Sequence, residues 1–223
     1  MTTKPDNNTK SLRDKIYETI RESIAQGKLQ PNERLIENDL ANEFKSSRSP
    51  IREALRQLES EGLIRSEKNK GYSIAKLSAK DVNEIYSIRI ILESYATWLT
   101  AESITKDQIK YLATLDKRLR AAAKENNLAM WLETNSFFHR FFFENCGNNN
   151  LSIILQTLQR RIHRYLYMII QIPGYFPMYL EQHEGIIEGC KQGDPGKAEE
   201  YMKIHLRTVK EITLNYLSNF PGL

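Results

Sequence analysis

The segment SSRSPIREALRQLESEGLI, residues 46–64, carries arginines at 48, 52 and 56, one guanidinium every four residues. On a helix, that spacing places all three along one face. Guanidinium groups there can neutralise phosphates, and one of them can bond guanine bidentately through O6 and N7. The same segment holds a second stripe, Ile51, Leu55, Leu58 and Leu63 with Ala54, suited to burial. A basic ridge opposite an apolar seam fits a helix that docks on nucleic acid. It also fits a helix that only turns a solvated face to water.

The elements that would position this ridge lie on either side of it. Residues 11–26 place Leu12, Ile16, Ile20 and Ile24 four apart with Tyr17 beside them, which predicts an amphipathic helix ended by Gly27. KLQPNERL follows as an extended loop around Pro31, and IENDLANEF predicts a second short helix with Leu40, Ala41 and Phe44 on one face. The third helix opens after KSS. Pro50 sits in its first turn, where a missing N–H costs nothing, and Ser46, Ser47 or Ser49 supplies the N-cap. Gly62 ends it, and LIRSEKNKGYSIAKL alternates around KNKG as a two-stranded wing. Three helices and a hairpin make a winged helix-turn-helix, in which the start of the third helix reaches base edges.

Charge supports this reading. Residues 1–77 hold 15 Lys and Arg against 12 Asp and Glu, while residues 78–223 hold 17 against 16. The surplus lies in the first third, where an anionic partner would dock. No apolar run approaches the ~20 residues that span a bilayer, and the polar start MTTKPDNNTK lacks the apolar centre of a secretory signal. Residues 1–10 are expected to form a disordered arm. Cys146 and Cys190 form neither a CxxC pair nor a disulfide framework. A cytoplasmic protein with reduced thiols is expected.

Over residues 11–76 the chain resembles the GntR family of bacterial transcription regulators. The resemblance rests on GKLQP, the LA of the second helix, SRSPIREAL, LESEGLI and the wing glycine Gly71. It implies that Arg48 and Arg52 contact base and phosphate, helped by Ser47, Ser49 and the wing at Lys70 and Gly71. Arg56 stays open between a peripheral phosphate contact and a solvated charge. The family's usual Gly-Val turn is Lys45-Ser46 here, so a side chain is expected at a positive φ, at a cost of about 1 kcal/mol.

From Ser78 onward every long segment reads as helix, and residues 78–223 form an all-α bundle in this reading. AKDVNEIYSIRIILESYATWLTA puts Val82, Ile85, Ile88, Leu92, Tyr95 and Leu99 at helical spacing, and Asp194-Pro195 opens the last helix. There is no phosphate-cradling glycine loop and no G-x-S-x-G turn. IYSIRIILESYA, NSFFHRFFFENCGNNNL, EQHEGIIEGCKQGD and AEEYMKIHL resemble, in order over residues 79–207, the FCD-type ligand domain of the FadR-like GntR branch.

That resemblance implies a divalent metal, zinc or nickel, held by His139, His183 and His205. Asn135 stands where the family has an aspartate, one helical turn before His139. An uncompensated 2+ charge would favour the carboxylate of a small organic acid. Arg89 falls where relatives have a pocket-facing arginine, and either pairs with an acidic effector or bridges to Glu93 at i+4. His163 is read as structural. The implied protein is a cytoplasmic homodimer on a palindromic duplex, a repressor released by the acid, with no membrane contact. Two alternatives stand beside it: a regulator with no effector, and a metal-dependent hydrolase using the same histidines. The hydrolase would need a general base, and Glu133 lies about 200° round the helix from Asn135.

Overall fold

The computed structural model describes residues 11–25, 28–67, 71–75, 78–169 and 175–219. The expected N-terminal arm, the Gly27 stop, Lys70 and the side chain of His163 lie outside them. The chain divides into two compact units, residues 1–76 and 77–223.

The first unit runs α1 (Leu12–Ala25), β1 (Arg34–Leu35), α2 (Glu37–Glu43), α3 (Arg48–Ser60), β2 (Ile64–Glu67) and β3 (Gly71–Ile74). Ile51, Ala54, Leu55 and Leu58 of α3 are buried against Ile16, Tyr17 and Ile20 of α1, with Leu40, Leu63 and Ile74 completing the core. Leu12, expected in that seam, is 46% exposed, and Tyr17 takes its place inside. The Tyr17 hydroxyl donates to buried Glu61 just beyond α3 at 2.8 Å, tying α1 to the end of the helix it supports. Ser47 occupies the N-cap of α3 without a side-chain hydrogen bond. Lys45 adopts φ 48, so the turn between α2 and α3 carries the expected strain.

The wing differs from expectation. It has three strands in the order β1-β3-β2, all antiparallel. The segment read as an extended loop pairs Arg34 with Ser73 and Leu35 with Tyr72. Asn32 N–H donates to Ile74 O, and Ile74 N–H to Glu33 O. Two residues are too few for an alternating pattern to appear, and these backbone bonds rather than side chains define the strand.

The second unit contains α4 (Ala79–Ser103), α5 (Lys106–Lys124), α6 (Leu128–Asn145), α7 (Asn149–Ile169), α8 (Tyr175–Gln192) and α9 (Pro195–Asn219). Side-chain caps fix several starts: Ser78 for α4, a Thr105–Gln108 capping box for α5, and Asn127 for α6. A Cβ at Gly189 of α8 would lie 2.5 Å from the Ala198 nitrogen of α9, so glycine lets these two helices approach closely. In α4 the expected apolar stripe is kept at Val82, Ile85, Leu92 and Leu99 and lost at two positions. Ile88 and Tyr95 are 48% and 49% exposed, while Tyr86, Arg89, Glu93, Thr97 and Thr100 are buried. The helix is apolar on nearly every side around Ile88–Leu92, so periodicity alone selects no face. The buried face is mixed, with Val82, Ile85 and Ala96 beside Arg89 and Glu93, and these two charged groups can be buried because they satisfy one another.

Candidate functional site

Two groups of side chains, one in each unit, could carry function. In the first, α3 turns Arg48, Ser49, Arg52 and Arg56 to solvent, with Ser47 exposed at its cap and Gly71 exposed at the start of β3. Gly71 has φ 82, a conformation that favours glycine. Arg48 and Arg56 have no hydrogen-bond or ion-pair partner among the described residues. The Arg52 Nε–H donates to Glu37 Oε2 at 2.8 Å, and Ser49 Oγ donates to Glu53 at 3.3 Å. Three guanidinium groups thus share one accessible face, opposite the buried seam that fixes the helix.

In the second unit, α6, α8 and α9 bring His139, His183 and His205 together. All three are buried, and one nitrogen of each lies within 4.8 Å of the others. Asn135, one turn before His139, lines a cavity with His139, His205, Tyr86, Arg89, Trp131 and Tyr179, and His183 lies outside that lining. The surrounding hydrogen bonds orient the rings. His139 Nδ1 meets Glu93 Oε1, and a carboxylate accepts only, so that nitrogen carries the proton. His205 Nδ1 lies 3.0 Å from Gln182 Oε1, again an acceptor. In a neutral ring of this orientation, the proton sits on Nδ1 and Nε2 is the lone-pair nitrogen.

His183 Nε2 sits 3.4 Å from His205 Nε2, while buried His183 Nδ1 has no partner among the described residues. Without a cation, only a proton shared between the two Nε2 atoms relieves their lone-pair repulsion, and that leaves His183 Nδ1 unsatisfied. Burial, then the neighbouring imidazoles, hold His183 and His205 well below the ordinary histidine value, so both are neutral near pH 7. Neutral, convergent, pre-oriented imidazoles are the donor set a divalent transition metal takes. The residues fit such an ion.

Glu93 and Gln182 are the parts that sequence spacing did not single out for this cluster. Glu93 is fully buried and accepts from Arg89 Nε and Nη2 at 3.0 and 2.8 Å as well as meeting His139. Burial alone would raise its carboxyl. The Arg89 guanidinium and the His139 ring outweigh that and hold it below its ordinary value. Arg89 thus bridges to Glu93 and lines the cavity at once. Glu133 points elsewhere, pairing with Arg118 at 2.8 Å on the surface. Glu93 is committed to the far nitrogen of His139, so neither carboxylate is placed as a general base.

Comparison with known proteins bears on both units. The profile of the bacterial regulatory proteins of the gntR family matches residues 12–74, and that of the FCD domain matches residues 84–208. The chain belongs to the GntR family, in the branch with an FCD domain. It is 31% identical over 193 residues to the HTH-type transcriptional regulator YdhC of Bacillus subtilis, covering 85% of each chain. It is 26% identical over 205 residues to the HTH-type transcriptional repressor RspR of Escherichia coli, covering 92% of this chain and 90% of that one. The structure of E. coli McbR/YncC has the same fold, with a TM-score of 0.79 at 20% identity over 93% of this chain and 99% of that one. This GntR protein is therefore a DNA-binding transcription regulator and not an enzyme. Among its described residues, no helix is long and apolar enough to cross a membrane.

Proposed function

We propose that this GntR regulator is a cytoplasmic, homodimeric repressor whose operator affinity is set by a small organic acid bound beside the histidine cluster. In this reading residues 11–77 are the DNA-binding head, and residues 78–223 bind the effector and form the dimer. Helix α3 enters the major groove, with Arg48 on a base edge and Arg52 on phosphate. Ser47, Ser49 and the wing at Lys70 and Gly71 add backbone contacts. Repression is carried over from RspR, which bears that description. A dimer reads an inverted repeat because protein and operator share a two-fold axis. Sizing by light scattering and footprinting on the gene's upstream region should give a dimer protecting two related half-sites. A monomer protecting one asymmetric site would refute this.

The observation that supports effector control is the convergence of three buried imidazoles within 4.8 Å of one another, two of them held neutral by burial. His139, His183 and His205 would hold zinc or nickel, with Asn135 at the edge. The ion would supply a Lewis-acid anchor for a carboxylate. Glu93 and Gln182 hold two of the rings, and Arg89 faces the cavity while compensated by Glu93. Asn135 offers only a neutral dipole. Asn135→Asp should therefore tighten metal binding more than tenfold, because unit charges about 4 Å apart at an effective dielectric of ~20 interact by about 4 kcal/mol, less the cost of desolvating the carboxylate. It should also weaken an acidic effector, whose anchor is partly neutralised. Calorimetric titration of both proteins with zinc and nickel, then with a panel of organic acids, checks both halves. Metal uptake by neither protein, with an unchanged effector response in His139→Ala, would place the effector elsewhere.

A further inference from the structure

Among the described residues, Arg52 is the one arginine of the α3 ridge that another side chain holds. Its Nε–H donates to Glu37 Oε2 at 2.8 Å, joining the first residue of α2 to the second turn of α3. With Nε engaged, the planar guanidinium has its Nη1 and Nη2 edge left over. That edge is a two-donor fork of the shape that binds a phosphate. The arginine side chain remains 53% exposed, so the fork is reachable, while Glu37 is only 25% exposed.

Glu37 begins α2, where the helix N-terminus favours a carboxylate. The phenol of the partly buried Tyr72 of β3 is pushed up, first by burial and then by the Glu59 and Glu37 carboxylates, against the pull of Arg56 and Arg52. The pair joins two helices across the turn, and its acidic partner is only 25% exposed, unlike a bridge between two mobile side chains on one surface.

We propose that Glu37 is a positioning and specificity-determining residue of the DNA head, tethering Arg52 so that its fork meets phosphate only when α3 is seated in register. The inference rests on the placement of α3 in the groove given above. A free arginine swings to whatever phosphate is near and strengthens binding to every duplex. A tethered one contributes only in the correctly docked complex, where phosphate contacts fix register and orientation. The carboxylate also repels the DNA backbone, which weakens binding to all sequences alike. The tether alone widens the gap between operator and random DNA, while the repulsion lowers both affinities together.

The test uses the full chain with two duplexes of equal length, the footprinted operator and a scrambled version, titrated at several salt concentrations. Glu37→Ala should bind the scrambled duplex more tightly, with a salt slope steeper by about 0.9 for the one further phosphate neutralised. The operator-to-scrambled affinity ratio should fall about fivefold or more. Glu37→Gln retains an amide oxygen for the Arg52 Nε–H but no charge. It should keep the wild-type ratio while both affinities rise. Arg52→Lys, which cannot be held by one edge, should lose the ratio with Glu37 intact, and gives the answer if Glu37→Ala does not fold.

A wild-type ratio and slope in Glu37→Ala would reduce the pair to an ordinary surface bridge. Loss of the ratio in Glu37→Gln as complete as in Glu37→Ala would overturn the tethering role. If the wild type itself fails to prefer its operator, the α3 assignment falls, and that failure is separate from the other two.

Discussion

Glu93→Ala is expected to destabilise the helical unit by about 3–5 kcal/mol, the cost of leaving one partner of a buried ion pair without the other. The buried Arg89 guanidinium donates two hydrogen bonds to the Glu93 carboxylate, and His139 loses its orienting acceptor in the same step. Urea denaturation of wild type and variant should show the loss as a lower midpoint. The double variant Arg89→Met with Glu93→Leu removes both charges and should recover most of it. A loss below about 1 kcal/mol would mean that water reaches the pair, as at an exposed bridge.

The pH dependence has a definite sign. The Glu93 carboxyl is held below its ordinary 4.5 in the folded state, so its contribution is complete above that value and is lost as pH falls beneath it. His183 and His205 are depressed below 6.5, so the unfolded chain takes protons that the folded chain refuses once pH drops through 6.5. Both effects make the helical unit acid-labile. Both should fade when the pocket residues are replaced.

Much of the fold was legible because local rules reach as far as the features they describe. The seam of α3, its end at Gly62 and the start of α9 at Asp194-Pro195 depend on residues within one or two turns. The bounds of α6 follow from a capping Asn127 and the break after Asn145. Features that depend on partners far along the chain were hidden. Strand β1 exists because β3 lies beside it, about forty residues later. The buried face of α4 admits Arg89 and Glu93 because they satisfy each other and His139, and an apolar pattern cannot announce that. Three scattered histidines gained meaning only from the family's order, and Gln182 gained its role from a ring 23 positions away. At Arg89 the two sequence readings turned out to be compatible, since one side chain both pairs with Glu93 and lines the cavity.

The second large effect concerns the DNA head. Arg48 opens α3, is exposed, and has no partner among the described residues, so its guanidinium is available to a base edge. Arg48→Ala should cost about 1–3 kcal/mol of operator binding and relax preference at a single base pair, as expected for one lost bidentate contact. Arg52→Ala should instead weaken binding evenly across operators that differ by one base pair, leave each base preference in place, and flatten the salt slope on the operator by about one phosphate. Neither change touches the buried seam, so thermal unfolding should stay near wild type. The most direct measurement is a gel-shift titration of wild type and Arg48→Ala on the operator and on operators changed one base pair at a time. The account predicts that the variant binds the operator about 5- to 150-fold more weakly and no longer distinguishes the bases at one position in each half-site. An Arg48→Ala protein that binds its operator as tightly as wild type, with every base preference intact, would contradict it.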